Sequence, residues 1–153
     1  MKPLEKLIVG HPFLDGFNPR HFRLLQQCAT TKKFRAGQVI FEEGQLAEHF
    51  FLIQTGQVRI DAFVPGRGAI PVQTVSAGGA LGWSWLFPPY QWHFSAYANQ
   101  PTELIAFDAR FLRQTFEADH EFGYELIKRV SSVLLQRLQE TRLLLVDFYG
   151  FPG

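Results

Sequence analysis

Between Gly68 and Thr102 the chain carries no Asp, Glu, Lys or Arg, and into that stretch it packs all three tryptophans together with Phe87, Tyr90, Phe94 and Tyr97. Only His93 could carry a charge there. A segment so apolar and so rich in rings needs a scaffold that buries it. The flanking sequence supplies two kinds of scaffold: short glycine-punctuated strands upstream and one long amphipathic helical pattern downstream. A pocket is expected where a β-sandwich hands over to a helix.

From Phe34, FRAGQVIFEEGQLAEHFFLIQTGQVRIDAFV alternates β-branched and aromatic runs with Gly37, Gly44 and Gly56, which reads as strands and tight turns. Gln57 to Ala62 is one such strand. Pro65, Gly66 and Gly68 mark a hairpin loop carrying Arg67, Ile70 to Val75 alternates again, and Leu104 to Phe107 closes the set. Before the strands, Phe17, Phe22, Leu24, Leu25 and Cys28 fall at helical spacing between Leu14 and Ala29, with Asn18 and Pro19 ordered as an N-cap and first helical residue. After them, Asp108 caps ARFLRQTF and Asp119 precedes a longer helix.

Along that last helix Ile127, Leu134, Leu138, Leu145 and Phe148 recur every three or four residues, interrupted by Ser131 and Thr141. The repeat is close to 3.5 residues, a seam that wants a partner. Its first turns are expected to pack on the chain's own barrel. Beyond Leu138 one sandwich runs out of surface, which predicts a parallel helix pair in a homodimer. The predicted fold is mainly β with α: a jelly-roll sandwich over 34–107 with a cassette at 78–98, an N-terminal helical segment over 1–33 and C-terminal helices over 108–153.

At 153 residues the chain suits one domain that needs no staples. A lone cysteine, Cys28, excludes an internal disulfide and points to a reducing compartment, the cytoplasm. No run reaches the roughly 18 apolar residues of a membrane helix, and MKPLEKLIVGHPFLDGF interrupts its apolar residues with charges, so neither an anchor nor an export signal is predicted. Fifteen basic residues against fourteen acidic give a net charge of +1, which provides no general attraction to nucleic acid or anionic membrane.

Gly37, Gly44, Gly56, Gly78 and Gly82 fall in a pattern that resembles the cyclic-nucleotide-binding domain of the catabolite-activator and anaerobic-regulator proteins. The resemblance covers Phe34 to about Leu145. It implies a jelly roll, a phosphate-binding cassette, a noncatalytic regulatory role and a dimer helix. In that family a Gly-Glu pair opens a short helix and an Arg-Ser/Thr-Ala run precedes the next strand. Here Gly82 matches, Trp83 stands in the glutamate's place, and the arginine's place falls on Trp92 or His93. The family's transcription factors carry a helix-turn-helix after the dimer helix. Here FYGFPG follows, so direct DNA binding by this chain is not expected.

The ligand expected from the resemblance is cAMP or cGMP, but a buried phosphate diester needs paired charge or several donors, and a bidentate arginine is the usual solution. The cassette offers backbone N–H groups near Trp83 and Ser84 at the start of the short helix, the Ser84 and Ser95 hydroxyls, and His93. Pro88 and Pro89 remove two donors. Arg67, Arg137 and Arg142 could reach the site from elsewhere. The composition favours a less charged, flat or apolar effector over a cyclic nucleotide, held by Gly82, Trp83, Ser84, Trp92, His93, Phe94 and Ser95, with His93 orienting it. The other reading is a plug, with Trp83, Trp85, Trp92 and Phe94 filling the cavity to leave a ligand-free dimerisation or docking domain.

Catalysis is not expected. His11, His21, His49, His93 and His120 lie too far apart in sequence for a short metal-ligand spacing, and the nucleophile-elbow, phosphate-loop and Cys-x-x-Cys motifs do not occur. No metal site is predicted.

Overall fold

The computed structural model describes residues 3–149, with Phe148 and Tyr149 described by backbone alone. Eight strands form two antiparallel sheets, β1-β8-β3-β6 and β2-β7-β4-β5. The strands are β1 (Ala29–Phe34), β2 (Val39–Phe41), β3 (His49–Thr55), β4 (Gln57–Val64), β5 (Gly68–Ser76), β6 (Ala80–Leu81), β7 (Ser95–Ala98) and β8 (Thr102–Asp108). Helices α1 (Pro3–Gly10) and α2 (Pro19–Gln26) precede the sandwich, and α3 (Ala109–Ala118) and α4 (His120–Tyr149) follow it.

The predicted turns and caps form. β4 and β5 make a hairpin in which Val64 faces Gly68. The Asn18 side chain accepts a hydrogen bond from the His21 N–H at the start of α2, and Asp108 accepts from Phe111 N–H at the start of α3. At the entry to α4, Asp119 accepts from Phe122 N–H. Each carboxylate or amide satisfies a donor that the first helical turn leaves open.

The sheet begins earlier than the Phe34 boundary. Ala29 to Phe34 pairs along its whole length with β8, from Ala29 opposite Phe107 to Phe34 opposite Thr102. Its sequence, ATTKKF, lacks apolar alternation because β1 is a sheet edge, and Lys32 and Lys33 suit an edge that should not pair with other chains. The helix read over Leu14 to Ala29 is correspondingly the shorter α2.

The core has two compartments, one on each face of the β3–β8 pair. Phe51 faces the sandwich interior, where Trp92 lies flat on Phe41 with ring centroids 3.7 Å apart. Phe50 faces the helices and meets Phe13, Trp85 and Phe107. Four consecutive residues of β3, Phe50 to Ile53, are therefore buried, as expected for a strand covered on both faces. Cys28 packs beneath this layer, and burial pushes its thiol up to about 12.

The first half of α4 is bound to the body of the domain. Phe122, Leu126 and Val130 are buried, and the Phe122 ring meets Phe17, His21 and Phe116. Arg20 of α2 pairs with Asp119 and Glu121. Arg129 pairs with Glu125, donates to the Asp15 carbonyl and covers the Phe17 ring. The predicted seam lies on a different face from this buried stripe. Ile127, Leu138 and Leu145 are exposed, Leu134 is half-buried, and the Phe148 side chain is outside the described residues.

Candidate functional site

A cavity of about 500 Å³ opens between the sandwich and the second half of α4. Phe41, Ile60, Val72 and Leu81 come from the strands, Trp83, Trp92 and Phe94 from the cassette, and Leu134, Leu138 and Leu144 from α4. Its polar lining is Gln73, Ser84, Arg137, Glu140 and Thr141, with the Gly82 backbone. The strand contribution follows from pleat parity: Val58 and Ile60 turn inward from β4 while Arg59 turns out to stack over Tyr97 and pair with Asp61.

Of the residues singled out in the sequence, Gly82, Trp83, Ser84, Trp92 and Phe94 line this cavity. His93 and Ser95 do not. His93 is exposed and its Nδ1 lies 2.9 Å from the Ser84 hydroxyl, while Ser95 accepts a hydrogen bond from Glu43 N–H and so fixes the β2–β3 turn. Trp83 meets Phe94 edge to face. Trp92, 5% exposed, fills the inner end.

Gly82 explains how the inner end closes. Its φ is +81°, and a methyl group there would sit well inside van der Waals contact of the Trp92 ring. The glycine thus gives up its side-chain space to an indole, and Trp92 itself makes the close approach to the backbone here. Trp85 departs from the plug reading. It is fully buried against Phe50 and Phe116, on the helix side of the sheet and away from the cavity.

The cassette makes two separate turns, Leu86 N–H to the Trp83 carbonyl and Tyr90 N–H to the Phe87 carbonyl, and they do not join into a helix. The reason is local. Continuing a helix would require N–H groups from residues 88 and 89, both prolines, and the Trp85 carbonyl already accepts from Arg113 Nη1 at 2.7 Å. Arg113, stacked over Tyr90, ties the cassette to α3. The anion-binding helix N-terminus expected around Trp83 and Ser84 is therefore reduced to one turn.

The three arginines considered as donors separate clearly. Arg67 and Arg142 are exposed and outside the cavity lining, whereas Arg137 lines it. Burial holds the Arg137 guanidinium below its usual pKa, and the charge of Glu140 opposes that effect. Glu140 is itself held by Gln73 across the gap at 3.0 Å and by Gln136 along the helix at 3.3 Å. Sequence reasoning missed Gln73 and Glu140, along with the strand residues of the wall. Inward parity in β4 and the spacing of Leu134, Leu138 and Thr141 were the available signals. Among the described residues no group of His, Cys, Asp and Glu could hold a metal ion, and no helix is long and apolar enough to cross a membrane.

This architecture recurs in solved structures. A protein of Geobacter metallireducens, described as a cyclic nucleotide-binding protein, superposes with a TM-score of 0.78 at 27% identity, covering 90% of this chain and 99% of that one. A cyclic nucleotide-binding domain from Methylobacillus flagellatus gives 0.80 at 20% identity over 98% and 85%. The catabolite activator protein of Thermus thermophilus gives 0.71 at 23% identity over 92% and 63%. The last two similarities speak to the fold. The regulatory subunit of a cAMP-dependent protein kinase from Blastocladiella emersonii is 27% identical over 75 residues, 48% of this chain but only 19% of that protein. The sequence model of the cyclic nucleotide-binding domain matches residues 31–119, from β1 through the cassette to the end of α3. With the roll, the cassette and the long helix all in the family's arrangement, the chain belongs to the cyclic nucleotide-binding domain family.

Proposed function

We propose that this chain is a noncatalytic ligand-sensing regulatory module whose effector lodges between the sandwich and α4 and presents less charge to the cassette than a cyclic nucleotide does. The observation that carries the reading is the roughly 500 Å³ cavity, whose cassette wall offers aromatic surface and one serine hydroxyl but no cationic side chain. A cyclic phosphate placed against that wall would lose its hydration without gaining a counter-charge, which costs several kcal/mol. An aromatic or aliphatic body loses nothing comparable and gains burial. Trp83 at the place of the family's glutamate, and Trp92 or His93 at that of its arginine, support a cassette divergent in chemistry on a fold that is kept.

The signal in this proposal is the position of the second half of α4. An effector touching Leu134 and Leu138 would favour one packing of the helix over another, shifting a population already present. The exposed apolar residues on the same stretch would carry that shift to a second copy of the chain. We place this module in the cytoplasm, and assign its described residues to sensing and not to DNA reading.

A second reading has its own support. Trp92 fills the inner cavity and stacks on Phe41 at 3.7 Å, so a domain that kept the fold and lost the ligand would act by dimerisation or docking alone.

Melting curves and calorimetric titrations with cAMP, cGMP and uncharged aromatic compounds distinguish the two. Binding at a hundredfold excess over the dissociation constant adds about 2.7 kcal/mol, a rise of roughly 5–10 °C for a domain of this size. A rise with the uncharged compounds supports the sensor. Tight binding of cAMP or cGMP would overturn the less-charged effector, and silence from every compound would leave the docking domain.

A further inference from the structure

The charged groups that line the cavity lie on one side. Arg137 and Glu140 both come from α4, while the strands and cassette opposite contribute no ionisable side chain. Glu140 already has partners, since the Gln73 and Gln136 amides each donate to one of its carboxylate oxygens. The Arg137 guanidinium feels the charge of Glu140 but, among the described residues, makes no hydrogen bond and no ion pair, and the residue borders both this cavity and a second, more polar one beside β5, with five N–H donors to offer.

Resting on the sensor reading above, we infer that the effector is an amphipathic monocarboxylate, its apolar body against Leu81, Trp83 and Phe94 and its carboxylate paired with Arg137 at the α4 edge. A planar guanidinium matches a carboxylate with two parallel hydrogen bonds, and a partly desolvated fork gains most from such a ligand. Glu140 sets the charge count. Its carboxylate on the next turn repels a second negative group, so a monoanion is accepted and a dianion is not. The polarity of the site is thus turned around: anion at the helix, apolar body at the cassette, where Trp92 has closed the approach to Gly82.

The test compares an acid with its uncharged counterpart, using dodecanoate against dodecanol and 1-naphthaleneacetate against 2-(1-naphthyl)ethanol, all below micelle-forming concentrations. Tryptophan fluorescence of the full chain reads binding, because Trp83 and Trp92 line the cavity. At least one acid should bind at one site per chain about tenfold or more tighter than its alcohol, the range expected for hydrogen bonds to a charged group. In Arg137→Gln, verified as folded by circular dichroism and an unchanged melting curve, that preference should vanish while alcohol binding persists. Arg142→Gln, outside the lining, should keep the preference. Equal binding of acid and alcohol by the natural chain would overturn the role of Arg137 and leave the sensor reading intact. Failure of all four compounds together with tight cAMP or cGMP binding would overturn this inference and the less-charged effector alike, and failure of every compound would remove the sensor reading with it.

Discussion

The two halves of α4 are one continuous helix under opposite constraints. From His120 to about Val130 it is held by buried rings and by ion pairs to α2; from Leu134 to Leu145 it borders a cavity on one side and solvent on the other. Anchoring needs dense packing, whereas sensing needs a segment whose position costs little to change. In the proposed sensor one helix would serve both: the first half would fix the pivot and the second half would respond.

The largest effect should come from loosening the pivot. Phe122 is fully buried among Phe17, His21 and Phe116. Phe122→Ala should cost about 3–5 kcal/mol, a fall in melting temperature of roughly 6–20 °C. A loss below about 1 kcal/mol would mean that the first half of α4 is no better anchored than the second.

Next in size is Gly82→Ala, which probes the boundary of the cavity. The substitution puts a side chain at φ +81° and drives its methyl group into the Trp92 ring. A loss of about 1–3 kcal/mol is expected from strain and overpacking together. Tryptophan emission should also change as Trp92 leaves Phe41. Unchanged stability and emission would show that the inner end is looser than the 3.7 Å stack indicates.

These two positions also show how far the sequence could be read. Caps at Asn18, Asp108 and Asp119 and the hairpin at Pro65 to Gly68 are local chemistry, written within three or four residues, and each is found where the sequence places it. β1 was hidden because an edge strand pairs through its backbone and leaves no apolar alternation to read. In the cassette, ring-rich composition marked the region correctly, yet composition cannot say which way each ring turns. Trp85 faces α3, Trp92 folds over Gly82, and His93 points to solvent. Arg137 stands 45 positions beyond Trp92 in sequence, and its place across the cavity from the cassette depends on the angle at which α4 crosses the sandwich.

A smaller effect should appear as pH dependence in the anchored half. His21 is buried with Nδ1 unpartnered, and burial, aided by Arg20 and Arg129 against the opposing pull of Glu121 and Glu125, holds its pKa below 6.5. Burial lowers His11 and His49 as well. Since the unfolded chain binds these protons more readily than the folded one, stability is full above the ordinary value of 6.5 and falls as pH drops below it. His21→Phe keeps a ring between Phe17 and Phe122 and removes the unsatisfied nitrogen. Its melting temperature at pH 7.5 should match or slightly exceed that of the natural chain and fall less on going to pH 5.5. Identical slopes would assign the acid sensitivity to His11 and His49.

The smallest effect on stability belongs to the outer face of the free half, and there the readout is assembly. Leu135 is 55% exposed and Leu145 54%, and neither lines the cavity, so replacing them with glutamate removes little buried area from the chain itself. Stability should stay within about 0.5 kcal/mol, as for other surface changes. If this face meets a second copy, however, two carboxylates per chain would be forced into an apolar seam. Sedimentation of the double variant should then show a monomer at micromolar concentration where the natural chain is a dimer. A natural chain that sediments as a monomer would leave α4 without a partner to inform, and the free half would report only to the cavity it borders.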